Sequence, residues 1–184
     1  MESVNKTLYI PLYGKAYVSR RGLFLSDPWA ERIWDAEGFA LGGRSRSKWL
    51  AFYMGIRSAV FDDWVRDMLA ELPDAAVLHI GCGMDSRAMR IGVGYRAFYD
   101  IDFPEVIAER KKYYENGDGY RMLEGDAREG EWLDAISEKD AIVVMEGVAM
   151  YLAPEELGAL FERLAAKFQN IRLLMDAYRV LVLR

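Results

Sequence analysis

The sequence predicts an α/β protein with a doubly wound, mostly parallel sheet. Two patterns carry this: short apolar runs that alternate with helical patterns after Pro73, and a glycine turn directly following the first of those runs. Size agrees, because 184 residues that are 52% hydrophobic suffice for one domain with a sizeable core. Before Pro73 the chain reads instead as helical and aromatic. We therefore expect a helical N-terminal cap over residues 1–73 and an α/β core over 74–184, within one compact domain.

The elements follow in chain order. Asp27-Pro28, then Trp-Ala-Glu-Arg-Ile-Trp, sets an N-cap residue, a first-turn proline and an acid where a helix start prefers them. Residues 42–47 are rich in glycine, serine and arginine and read as a loop. Over 47–72, Trp49, Tyr53, Ile56, Val60, Trp64 and Met68 recur at steps of three or four, the stripe of an amphipathic helix that Pro73 and Asp74 stop. Strands are expected at 76–80, 97–101, 120–123, 141–145 and 171–175, with helices at 103–115 and 154–168 between them. The last helix starts at Pro154 with Glu155 and Glu156 in its first turn, and it sets Leu157, Leu160, Phe161, Leu164 and Phe168 on one face.

Charge narrows the function classes. With 24 basic against 29 acidic side chains, net −5, there is no overall basic field to favour nucleic acid or an anionic membrane surface. The single cysteine, Cys82, cannot form an intramolecular disulfide, the N-terminus has no apolar leader, and no run approaches the roughly 18 apolar residues of a membrane span. The expectation is a cytoplasmic protein.

The candidate chemistry lies at the predicted strand ends. The first strand leads into Gly81-Cys82-Gly83-Met84-Asp85-Ser86-Arg87, and in a doubly wound sheet glycines in that turn let the backbone approach a nucleotide. Asp100 and Asp102 lie 19 and 21 positions after Gly81, at the end of the second strand, where an acid accepts from ribose hydroxyls. A dinucleotide fingerprint would need Gly or Ala at Ser86, which argues against NAD. S-adenosylmethionine needs the ribose acid and no phosphate cradle. Asp126, in Gly125-Asp126-Ala127-Arg128 after the third strand, is either an ordinary Gly-Asp turn or an acceptor for an adenine amine. Glu146 ends the fourth strand, as a helix-cap acid or as a partner for something positive, such as the amino group and sulfonium of S-adenosylmethionine. Arg57 stands beside the apolar stripe of the long helix and needs a partner, either a protein carboxylate or a ligand carboxylate suited to its planar fork.

These residues resemble a known family. The runs Val77-Leu78-His79-Ile80-Gly81-Cys82-Gly83-Met84-Asp85-Ser86-Arg87, Asp100-Ile101-Asp102-Phe103-Pro104-Glu105-Val106, Gly125-Asp126-Ala127-Arg128 and Glu146-Gly147-Val148-Ala149-Met150-Tyr151-Leu152 are similar to those of the leucine carboxyl methyltransferase family. The Asp85-Ser86-Arg87 ending is more specific to this family than the glycines before it. The resemblance implies a class I methyltransferase (Rossmann-like) fold with S-adenosylmethionine as methyl donor. It implies that Lys15 and Arg57 meet the cofactor's carboxylate end, that Gly81 lies under its methionine moiety, and that Asp102 takes the ribose. Asp126 with Ala127 would contact the adenine, and Glu146 would close the pocket. Lys15 rests on its distance from Gly22 and Asp27-Pro28, and a surface lysine is the other reading.

Methyl transfer from a sulfonium to oxygen is an in-line displacement that needs alignment and exclusion of water. A carboxylate acceptor needs no base, whereas a phenol needs help in losing its proton. No catalytic base or metal site is assigned: His79, inside the first strand, reads as a core histidine or a neighbour of the cofactor's amine. The expected activity is O-methylation of a carboxylate or phenolic hydroxyl on a small molecule or peptide. The other reading is a cofactor-binding remnant or assembly subunit without transfer activity. It arises because class I methyltransferases continue into two further strands, which residues 178–184 cannot hold. We thus expect a C-terminally shortened sheet that ends after its fifth strand, with an open edge inviting homo-oligomers.

Overall fold

A computed structural model describes residues 2–37 and 47–177. Of the expected loop at 42–47, residues 42–46 lie outside the described residues, as does the tail at 178–184. The helices are α1 (Glu2–Ser19), α2 (Pro28–Glu37), α3 (Lys48–Glu71), α4 (Arg87–Arg90), α5 (Pro104–Arg110) and α6 (Pro154–Lys167). The strands are β1 (Ala76–Ile80), β2 (Ala97–Asp102), β3 (Tyr120–Glu124), β4 (Asp140–Met145) and β5 (Asn170–Met175). No described helix is long and apolar enough to cross a membrane.

The five strands form one sheet in the order β3-β2-β1-β4-β5, every pairing parallel. Each predicted strand is present, with ends moved by at most one residue. β1 is buried at all five positions, the apolar signature of a central strand in a parallel sheet. One face carries Leu78, Ile80, Tyr99, Ile101, Val143 and Met145, packed against Leu160, Leu164 and Phe168 of the α6 region and against Trp132 and Leu133. The α6 stripe read from sequence is thus the buried one, with Leu157 and Phe161 partly covered beside it.

The chain divides into two compact units. One comprises Met1–Asp67, Gly83–Gly94 and Ala108–Glu115; the other comprises Met68–Cys82, Tyr95–Ile107 and Asn116–Arg184 and holds the sheet. In the first, α1 and α3 approach closely. A Cβ on Gly14 would lie 2.6 Å from Met54 Cβ, and one on Gly55 would lie 2.6 Å from Val18 Cγ2, so both glycines clear the way for the neighbouring helix. Asp27 caps α2 as expected, its Oδ1 accepting from Ala30 N at 2.9 Å.

Two expectations need correction. Helix α3 buries Ala51, Phe61, Val65 and Leu69, not the predicted stripe, of which Trp49, Tyr53, Ile56 and Val60 are exposed. Small and polar residues on the inner face, Gly55, Ser58 and Asp62, hid it from an apolar count. The helix predicted over 103–115 stops at Arg110, whose buried side chain donates to the carbonyls of Gly83 and Asp85 at 2.7 and 2.8 Å. Helix α1 falls within the expected helical cap, and Pro11, Gly14 and the buried Lys15 interrupt its apolar face of Tyr9, Leu12 and Ala16.

Candidate functional site at the carboxyl edge of the sheet

The register fixes the geometry of the edge. Ile80 pairs with Ile101 and His79 with Val144, so Gly81, Asp102 and Glu146 stand at the same level, directly after β1, at the end of β2 and directly after β4. With strands about 4.8 Å apart, the two acids flank the Gly81 turn about 10 Å from one another. β1 and β4 are also where the strand order reverses, the crevice that ligands occupy in open α/β sheets.

Local forces hold each group there. Gly81 has φ +68°, and its N–H donates to Ile101 O at 2.8 Å. A Cβ at this position would lie 2.3 Å from Val148 Cγ2, so both backbone conformation and close packing require glycine. Asp102 Oδ1 accepts from Phe103 N at 2.8 Å, and its carbonyl accepts from Gly125 N at 2.9 Å, which ties the end of β3 to β2. Gly147, with φ +74°, donates its N–H to Asp176 Oδ1 at 2.7 Å and so turns the chain directly after the partly buried Glu146.

Alternation along β2 separates its two acids. Asp100 is wholly buried, with Oδ1 2.9 Å from His79 Nδ1 and Oδ2 accepting from Tyr120 OH at 2.6 Å. It ties three adjacent strands together and is not available to a ribose. Asp102, two residues on, remains partly exposed at the strand end.

Asp126 and Ala127 lie just past β3. Asp126 Oδ1 accepts from the backbone N–H and Nε of Arg128, each at 2.9 Å, and Oδ2 accepts from the same guanidinium. That side-chain bond holds the Asp126 carboxyl below its ordinary value, against the opposing pull of burial. Ala127 O accepts from Arg163 at 3.1 Å, and its side chain packs on the sheet's apolar cluster.

Lys15 and Arg57 belong to the other unit. Lys15 is no surface lysine: its side chain is buried, with Nζ 2.6 Å from Asp85 Oδ2. Around it runs a buried charge network. Arg87 Nε donates to Asp62 at 2.8 Å; Arg90 donates to the other Asp62 oxygen at 2.6 Å, to Asp27 at 3.2 Å and to Asp85. Ser86 Oγ donates to Asp27 Oδ1 at 2.6 Å. Burial pulls the Arg90 guanidinium down, but Asp85, Asp62 and Asp27 together leave it well above its usual range. The Asp85-Ser86-Arg87 motif is therefore a clamp that fixes the chain after the glycine turn. Arg57 is half-buried, with its guanidinium carbon 5.8 Å from the Tyr53 ring centre.

Several residues escaped the sequence reading. Asp176 directly follows β5, and an acid after an apolar strand was a readable signal, as it was for Glu146. Val148 over Gly81 and Arg128 on Asp126 left none, since each depends on a contact made only in the fold.

Comparison with known proteins gives this geometry a family. The tetracenomycin polyketide synthesis O-methyltransferase TcmP of Streptomyces glaucescens is 36% identical over 123 residues, which cover 66% of this chain and 46% of that protein. The S-adenosyl-L-methionine-dependent methyltransferase dpfgK of Gibberella zeae is 30% identical over 139 residues, covering 69% and 46%. The chain spans about half the length of these relatives. Among solved structures, precorrin 8w decarboxylase of Methanobacterium thermoautotrophicum aligns with a TM-score of 0.42 and 24% identity, over 58% of this chain and 56% of that one. The family model described as Leucine carboxyl methyltransferase matches residues 12–165, most of the chain, so the protein belongs to that family of S-adenosylmethionine-dependent methyltransferases.

Proposed function

We propose that the chain binds S-adenosylmethionine at the carboxyl edge of its sheet and serves methyl transfer to an oxygen of a small-molecule or peptide acceptor, a carboxylate or a phenolic hydroxyl. The supporting observation is the row Asp102, Gly81, Glu146 at the strand-order reversal of a chain in this family. A turn that excludes any Cβ, set between two partly exposed carboxylates, suits a ligand with hydroxyls and positive charge and repels phosphates.

The bound cofactor would supply an electrophilic methyl group on a sulfonium. In this reading Asp102 accepts from the ribose hydroxyls, Glu146 faces the amino group or sulfonium, and the Gly81 turn lies under the methionine moiety. Asp126 with Ala127 takes the adenine, and Asp126 shares its oxygens between that base and Arg128. No residue is assigned as a base, in keeping with a carboxylate acceptor that is already ionised.

Calorimetric titration with S-adenosylmethionine and its demethylated product tests the reading. Wild type should release measurable heat, and Asp102→Asn should weaken binding by about 1.5–3 kcal/mol, the worth of a charged hydrogen bond. No heat at millimolar ligand would overturn it. Transfer of radiolabelled methyl then separates the acceptors, because a methyl ester loses its label in base and an aryl ether keeps it. The coverage of about half of each relative supports a second reading, a cofactor-binding part without transfer, which predicts heat and no labelled product.

A further inference from the structure

Helix α3 carries two apolar faces. Ala51, Phe61, Val65 and Leu69 are buried, whereas Trp49, Tyr53, Ile56 and Val60 are between 44% and 75% exposed. At 100° per residue the two sets lie on opposite sides of the helix. Phe24, also exposed, borders the same helix: its ring lies 6.2 Å from that of Phe52, and it packs beside Gly55. An exposed apolar stripe of this kind marks a contact surface.

Its charges say what would cover it. The outer stripe steps by four, three and four, the spacing of a helix–helix seam, and its next two positions are Asp63 and Asp67. Lys48 stands at the opposite end. The stripe is thus cationic where α3 begins and acidic where it continues past Val60. A second copy laid antiparallel sets each cationic end on an acidic one, while a parallel copy opposes like charges. Asp63 pairs with Arg66 three residues on, an exposed contact that exchanges at little cost.

We propose that the outer face of α3 is an isologous contact with a second copy of this chain. The helices cross antiparallel near Ile56, with Lys48 and Trp49 of one copy against Val60 and Asp63 of the other. Apolar area leaves water on both copies, and the end charges set the direction.

Sedimentation equilibrium of the full chain is the test. Wild type should dimerise, and Ile56→Glu with Val60→Glu should raise the dimer Kd at least about 100-fold, while thermal unfolding at a concentration where both proteins are monomeric stays unchanged because both positions are exposed. Lys48→Asp and Asp63→Lys should each weaken the dimer about tenfold, and their combination should restore it. Ile56→Cys in a Cys82→Ser background should oxidise to a disulfide-linked dimer. A wild type that stays monomeric at about 100 μM overturns the proposal. So does a dimer indifferent to the glutamate pair, which would place the contact elsewhere, such as the β5 edge. A monomer whose glutamate pair changes the acceptor's KM also overturns it and makes the stripe an acceptor wall.

Discussion

Two groups of charged side chains in this protein are used in opposite ways. In the helical unit Lys15, Arg87 and Arg90 meet Asp27, Asp62 and Asp85 in a buried set that balances its own charge. At the carboxyl edge of the sheet Asp102, Asp126 and Glu146 stay partly exposed at strand ends. The difference separates holding from binding. A charge sealed against its counter-charge is committed to the fold, since withdrawing either partner strands the other in low dielectric. A carboxylate that solvent reaches can exchange water for a ligand without unfolding anything.

The widest break in this comparison comes at Asp62, which serves both Arg87 and Arg90. Asp62→Ala should destabilise the protein by about 3–5 kcal/mol in urea unfolding, because two buried guanidinium groups lose their shared carboxylate. Asp102→Asn should leave stability within about 0.5 kcal/mol and lower only cofactor affinity. Equal losses of stability in the two variants would erase the distinction.

Lys15 sharpens it, because the family resemblance sends it to the cofactor and the structure binds it to Asp85. Lys15→Met should cost about 1–3 kcal/mol of stability, smaller than Asp62→Ala because Arg90 still serves Asp85. Adding Asp85→Asn should recover part of that loss if the pair is what matters, a coupling read directly from the double-mutant cycle. Cofactor affinity measured on the same variants shows whether Lys15 also binds. A Lys15→Met protein of wild-type stability would remove it from the buried set.

The sheet and its edge were legible because their signals are local. β1 announces itself in Ala76–Ile80 followed by Gly81, and every strand end carries its acid or glycine within two residues. The helical unit was harder to read. The inner face of α3 contains Ser58 and Asp62, which an apolar count assigns to solvent, and only the partners Arg87 and Arg90, more than twenty residues away, make Asp62 an inner residue. Lys15 was invisible as a buried group for the same reason: its partner Asp85 lies seventy residues on. Periodicity finds faces that bury carbon and misses faces that bury matched charge. The outer stripe of α3 shows the converse, an apolar period that the described residues leave exposed.

Asp126 stands between the two classes, and pH reads its position. Its side-chain bond from Arg128 holds the folded carboxyl below the ordinary 3.8. A lowered folded value means that the pair contributes stability above the ordinary value and loses it as pH falls through the lowered one. Arg128 is exposed, so the effect on stability is small and carboxyl-carbon NMR is the better measurement. Arg128→Gln should move the Asp126 titration up toward 3.8. It should also release both oxygens from a competing donor, so that if Asp126 accepts from the adenine amine, cofactor affinity holds or rises, whereas Asp126→Asn lowers it. A fall in affinity on removing Arg128 would show instead that the ion pair as a unit forms the adenine side of the site, which would move Asp126 from the ligand-facing carboxylates to those that hold the fold.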